Sequence, residues 1–380
     1  MKSSRRIFLI ISIFLAVVLL CAVAAAGYAY RLFGDEVRAV QSVREVTPEL
    51  YEMTYRGDYG IDAFIAQGGV RTDAELQPFL QQFLSHGLLR VDAAAPEVPD
   101  VGCSTLCAPI ANKDGYLFGR NFDWAKKGNT IIIRTYPKNG YASVSTSNLD
   151  FLGIPLALDL ASQNKEDGRR QVGGRRVEAS SLRSVKDIMQ KMPVIAAIYV
   201  ALDGINEKGL MVADLFAGDK EKTAQERGNL AVTTTTAIRL LLDRAATTDE
   251  AISMLASWDM HSSIDWAHHI AIADATGHSV VVEWIDNEMI VTETPAVTNH
   301  YLSPLRPHVG IGQTEARRDT LCARLAAHPQ MQSDDMRNLL EDVAFEDYTG
   351  WSVIFSTKDL SATYYYRTDF EKAYVYKIGD

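Results

Sequence analysis

Two short stretches of this 380-residue chain combine a nucleophile with charged partners. The first is Gly102-Cys103-Ser104-Thr105 and the second is Gly119-Arg120-Asn121-Phe122-Asp123-Trp124. A thiol attacks a carbonyl carbon as its thiolate, and a neighbouring guanidinium favours that ion. Asp123 could accept a hydrogen bond from an α-amine if Cys103 were a new N-terminus. On spacing alone, the same Arg and Asp at the end of a strand equally make a surface salt bridge.

Two further groups carry polar side chains suited to a site. Asp203-Gly204-Ile205-Asn206-Glu207-Lys208-Gly209-Leu210 reads as a turn between strands, with Gly209 permitting a positive φ. Val297-Thr298-Asn299-His300-Tyr301 is followed by Glu315-Ala316-Arg317-Arg318-Asp319, where either arginine could simply be a solvated residue opening a helix. The eight histidines form no HExxH and the four cysteines no CxxC, so a metal site has no support in the sequence, and nothing asks for a cofactor. Cys103, Cys107 and Cys322 are too few for a disulfide-built scaffold, and a Cys103–Cys107 bridge would be only local.

The elements that must hold these residues change character along the chain. Up to about residue 102, stretches such as EVRAVQSVREVTPELYEMTYRG and DAELQPFLQQFLSHGLL space their apolar residues helically. Thr72-Asp73-Ala74-Glu75 resembles a helix start, and the extended, proline-bearing APEVPDVG runs directly into Cys103. From Cys103 the texture turns β-rich. Residues 104–111 and 116–118 flank Asn112-Lys113-Asp114-Gly115, a hairpin pattern repeated at 268–273 and 279–284 around Asp274-Ala275-Thr276-Gly277. WSVIFSTKD, LSATYYYRT and KAYVYKI add three strands, and helical patterns occupy 181–189, 235–244, 249–257, 317–327 and 334–342. The pattern predicts sheets packed on each other and covered by helices.

GCSTLCAPIANKDGYLFGRNFDW resembles the opening of the choloylglycine hydrolase and penicillin V acylase superfamily of linear amide C–N hydrolases. The resemblance extends over roughly residues 102 to 380. It implies a four-layer αββα sandwich of the N-terminal-nucleophile type, an α+β fold, with Cys103 as nucleophile and Arg120 and Asp123 as its immediate partners. Cys107 stands several residues too close to Arg120 for that role and reads as a buried strand residue. The segment from Asn206 resembles the family's NExGL stretch, which implies that the backbone N–H of Phe216 serves an oxyanion hole. Bile-salt hydrolases carry Asn there, so Phe216 makes bile salts a less comfortable substrate. Asn299 matches the family's side-chain donor to the same hole, and Arg317 its helix-opening arginine, with Arg318 as competitor.

The family's bile-salt members begin at their cysteine, whereas this chain has a leader. In that respect it resembles acid ceramidase-like and acyltransferase relatives, which imply cleavage of the Gly102–Cys103 bond. The expected division is therefore a signal or anchor at 1–30, a helical pro-segment at 31–102 and a catalytic domain at 103–380. The expected activity is hydrolysis of a small, amphipathic N-acyl amide through a thioester. An acyltransferase, or a silent extracytoplasmic binding protein of the same fold, stands as the alternative.

Composition narrows the partners. A formal net charge of −10 argues against nucleic acid, whose phosphates need a concentrated basic surface. The one basic cluster beyond the N-terminus, GRRQVGGRR, reads as a solvated loop. MKSSRR followed by IFLIISIFLAVVLLCAVAAAGYAY is long enough to span a bilayer, and also offers small residues for a signal peptidase. Either reading places the remainder outside the cytoplasm, membrane-anchored or secreted.

Overall fold

A computed structural model describes residues 2–85, 101–112, 114–124, 128–152, 188, 190–218, 221–307, 310 and 314–379. The chain begins with helix α1 (Lys2–Ser42), then a hairpin of β1 (Arg44–Thr47) and β2 (Leu50–Gly57), then α2 (Ile61–Ala66) and α3 (Asp73–Ser85). The helical spacing read over 44–57 is thus overturned: this part of the leader is β. The β2 side chains are buried almost throughout, so no alternation of polar and apolar residues marks it as a strand. The helix start at Thr72 is present, with the Thr72 hydroxyl accepting from the Glu75 N–H at 3.2 Å. The basic stretch at 168–176 and nearly all of the helix read at 181–189 lie outside the described residues.

The next elements are β3 (Val101–Pro109), β4 (Tyr116–Trp124), β5 (Thr130–Pro137), β6 (Ser143–Asn148), β7 (Asp203–Asn206) and β8 (Met211–Phe216). After β9 (Leu230–Thr233) come α4 (Thr234–Arg244), α5 (Thr248–Ser257), β10 (Trp258–His261), β11 (His268–Ala273), β12 (Ser279–Ile285), β13 (Glu288–Glu293) and β14 (Ala296–Thr298). The chain closes with α6 (Thr314–Ala327), α7 (Ser333–Asp342), β15 (Thr349–Ser356), β16 (Ser361–Tyr366) and β17 (Asp369–Lys377). One sheet has nine strands in the order β1-β2-β5-β6-β7-β8-β11-β12-β13, and another has six in the order β14-β3-β4-β15-β16-β17.

Strand parity explains the layers. Ile132, Val144, Met211, Ala213 and Val281 from the large sheet meet Cys103, Phe118, Phe122, Val353 and Phe355 from the small one in a shared core. The alternate residues of the large sheet, among them Ile131, Ile133, Val212, Ile270 and Val282, face helices including α3, α4 and α5. Those of the small sheet, such as Leu106, Leu117 and Ile354, face α6 and α7 through Leu321, Met336 and Leu340. Two sheets thus pack face to face with helices on both outer surfaces. Strands covered on both faces read as apolar runs, which is why IAIA and VVV show no period of two.

The leader is built into this body. β2 pairs in parallel with β5 from Leu50↔Thr130 to Gly57↔Pro137, making the hairpin an edge of the large sheet. At the inner end of α1, Ala39 and Val40 are buried in the helix-covered core with Phe64 and Leu76 of α2 and α3. Tyr59, after β2, donates to Asp243 of the fully buried Arg239–Asp243 pair at 2.6 Å. At its outer end α1 exposes Ile13, Phe14, Leu15, Val17, Leu19 and Leu20. Among the described residues no helix is long and apolar enough to cross a membrane.

Candidate active site

Cys103 lies near the start of β3, whose antiparallel partner β4 brings Phe122 opposite it and Arg120 opposite Thr105. Side chains on one face of a strand recur every second residue, so Cys103 and Arg120 share the face between the sheets. Asp123, one residue out of phase, lies on the other face with Gly102 and α6. The nucleophile candidate therefore has one partner beside its thiol and another beside its backbone.

On the thiol side, Arg120 Nη2 donates to Cys103 Sγ at 3.7 Å. The guanidinium is completely buried and fixed by Asp203 Oδ2 at 2.5 Å, the Leu202 carbonyl at 3.0 Å and the Asp214 carbonyl at 2.7 Å. Trp351 Nε1 also donates to Asp203, at 3.0 Å. Burial pushes the Cys103 thiol up to about 11, Arg120 opposes the rise, and the Asp123 carboxylate adds to it. In this environment the thiol is held mainly in its protonated form. Cys107, also on β3, is buried and pushed up to about 12 by that burial. Both thiols are free, so no local bridge forms.

On the backbone side, Asp123 Oδ1 accepts from Thr349 Oγ1 at 2.6 Å. Asp123 Oδ2 forms an ion pair with Arg317 Nη2 at 2.8 Å, without the alignment of a hydrogen bond. Arg317 also donates to Ser104 Oγ at 3.3 Å, and its guanidinium lies 4.3 Å from the centre of the Phe345 ring. Arg318 instead points to the Ala296 carbonyl and Thr294, bracing the approach to β14. Of the two arginines, Arg317 is the one that approaches Asp123 and Gly102. Gly102 is needed for space: a Cβ there would meet Phe345 at 2.9 Å, Asp123 Oδ2 at 3.0 Å and Arg317 Nη1 at 3.1 Å. Gly102 is not among the glycines with positive φ, so its lack of a side chain answers to this crowding.

Asn299 follows β14 and is fully buried. Its Oδ1 accepts the Cys103 N–H, and its Nδ2 donates to the Phe216 carbonyl at 2.9 Å. Phe216 is thus beside the site, but its carbonyl, rather than its N–H, is engaged by Asn299. Asn206 has a structural part: its side chain ties Lys208, Leu210, Leu242 and Ala245 around the turn closed by Gly209 at φ +83°.

A cavity of about 230 Å³ opens beside Cys103. Phe122, Phe151, Leu202 and Phe216 line it from the body, and Leu76 and Leu80 of α3 line it from the leader. Asp214 and His268 line it too. Neither these two nor Asp203, the anchor of Arg120, was singled out from the sequence for its chemistry. Asp203 and Asp214 fall in or next to the Asn206 stretch, and an acid on each of two neighbouring strands was the available signal.

The family model of linear amide C–N hydrolases, the choloylglycine hydrolase family, matches residues 103–300, more than half of the chain. The chain belongs to this family, and is a hydrolase acting on linear amide bonds. Among solved structures, a mutant conjugated bile acid hydrolase from Clostridium perfringens is 14% identical, with 72% of this chain and 96% of that chain covered and a TM-score of 0.45. Penicillin V acylase from Agrobacterium tumefaciens is also 14% identical, covering 70% and 83% with a TM-score of 0.43. No curated protein matches the chain.

Proposed function

We propose that the chain is a self-processing amidase of the N-terminal-nucleophile class, with Cys103 as the nucleophile. The observation that carries this is the convergence of Asn299, Asp123 and Arg317 on the Gly102–Cys103 peptide while Arg120 holds the thiol. In processing, the Cys103 sulfur attacks the Gly102 carbonyl carbon. The peptide C–N bond breaks, and the Cys103 nitrogen leaves as an amine carrying the proton. Water then cleaves the Gly102–sulfur thioester, leaving a Gly102 carboxylate and a free N-terminal cysteine.

The new α-amine, with an ordinary pKa of about 7.7–8.0, takes the thiol proton as general base. Asp123 Oδ2, beside Gly102 and without an aligned donor among the described residues, accepts from that amine. Once the peptide is gone, Asn299 is free to turn its amide towards the oxyanion, with the Phe216 N–H as second donor. A linear amide is then cleaved through an acyl-thioester on Cys103, and water releases the acid. The apolar walls of the cavity suit the acyl chain. Acid-quenching a reaction with an N-acyl p-nitroanilide is expected to trap the acyl group on the Cys103 peptide by mass spectrometry. Turnover with the acyl mass on another residue, or on none, would overturn the thioester route.

The leader is expected to stay after the cut. Its β2–β5 pairing, its share of the core and Tyr59 on Asp243 are all non-covalent contacts that hydrolysis leaves intact. The two pieces should co-elute on size exclusion in native buffer and separate only in denaturant; native separation would contradict this. The exposed apolar side chains of α1 would then hold the enzyme at a membrane surface.

A further inference from the structure

Asp214 and His268 form a buried pair in the wall of the Cys103 cavity. His268 Nδ1 lies 2.8 and 3.1 Å from the two Asp214 oxygens, and Nε2 lies 3.0 Å from the Ser263 carbonyl. A neutral imidazole carries one N–H, so two acceptors on opposite nitrogens call for a second proton shared with the carboxylate. Burial works against the charged ring, but the charge and hydrogen bond of Asp214 hold His268 above the usual histidine range. The pair is therefore joined through a proton between Nδ1 and the carboxylate. An ionised carboxylate offers about four lone-pair directions, and one imidazole N–H shared between its oxygens leaves room for a further donor.

Cys103, Asp214 and His268 line the same cavity. Arg120 Nη2 contacts both Cys103 Sγ, at 3.7 Å, and the Asp214 main-chain carbonyl, at 2.7 Å. Leu76, Leu80, Leu152 and Val200 make much of the remaining lining apolar, beside Asp73, whose carboxylate already accepts from the Ser263 hydroxyl at 3.1 Å and the Ile264 N–H at 2.9 Å. A plain hydrocarbon would cover the Asp214 carboxylate without filling its acceptor positions.

We propose that Asp214, braced by His268, accepts a hydrogen bond from a hydroxyl on the acyl group, so that the favoured substrates are N-acyl amides hydroxylated close to the carbonyl. This rests on the amidase reading and adds a specificity-determining residue to it.

The test compares two amides of equal acyl length and identical leaving amine, one with a 3-hydroxyl and one without. The processed wild-type enzyme is expected to favour the hydroxylated amide in kcat/KM by about tenfold or more. Asp214→Ala should bring the ratio to about one, and His268→Gln, which frees the carboxylate to move, should lower it. Should Asp214→Ala fail to process, Asp214→Val, which also removes the acceptor, is read in its place. Equal rates in the wild type overturn the proposal, as does a wild-type ratio that persists in the Asp214 variant. If the processed wild type hydrolyses neither amide, the amidase reading itself fails and this inference falls with it.

Discussion

Arg120→Met is expected to destabilise the protein by about 3–5 kcal/mol and to abolish turnover, for two separable reasons. The guanidinium is fully buried and paired with an equally buried Asp203, so its removal strands a carboxylate. Burial already raises the Asp203 pKa, and Arg120 is the first force opposing the rise. Without Arg120 the folded-state pKa climbs further. A carboxyl whose folded pKa is raised contributes stability that is complete below its unfolded value and is lost as pH rises through the folded value. The variant should therefore melt at a higher temperature at pH 5 than at pH 8. Adding Asp203→Asn removes the stranded charge while keeping an acceptor for Trp351 Nε1, and should recover most of the stability. It should recover no activity, because the thiol still lacks its cation. Thermal melts of the two variants at both pH values, with an amidase assay, check this. A double variant that regains turnover would reduce Arg120 to a structural brace.

Asn299→Ala is expected to lower kcat by about 10²–10³-fold with little change in KM, the loss typical of removing one oxyanion donor. Here the side chain also joins two strands, through Cys103 N–H on one side and the Phe216 carbonyl on the other. Asn299→Asp separates these parts, since it keeps the acceptor for Cys103 and removes the donor. Steady-state kinetics on material with matched processed fractions should show similar kcat losses for both variants. An aspartate variant with wild-type kcat would remove Asn299 from the oxyanion hole.

The hairpin at the heart of the site was readable because it is local. A turn between two strands fixes which residues face each other, and that register puts Cys103 and Arg120 on one face. Asn299 and Arg317 are isolated polar residues in the sequence, and only the family resemblance gave them a part. Their approach to Gly102 and Cys103 depends on β14 pairing with β3 and on α6 covering the small sheet. Asp214 and His268 meet because β8 and β11 are neighbours, with His268 opposite Phe216, a long-range pairing without a local signature. The stretch at 44–57 of the leader was misread for the same reason. Its strand is buried on most positions and pairs in parallel with β5, far along the chain. The crowding by Phe345, Asp123 and Arg317 that requires a glycine at 102 comes from three distant parts of the chain and left no local mark.

The most direct test of the central claim is intact-mass spectrometry with N-terminal sequencing of the purified protein and of Cys103→Ala. The wild type should yield a fragment that starts at Cys103 beside a leader ending at Gly102, and the variant should remain one chain. An active wild type that keeps the Gly102–Cys103 bond, or a variant cut at the same place, would contradict Cys103 as the self-processing nucleophile.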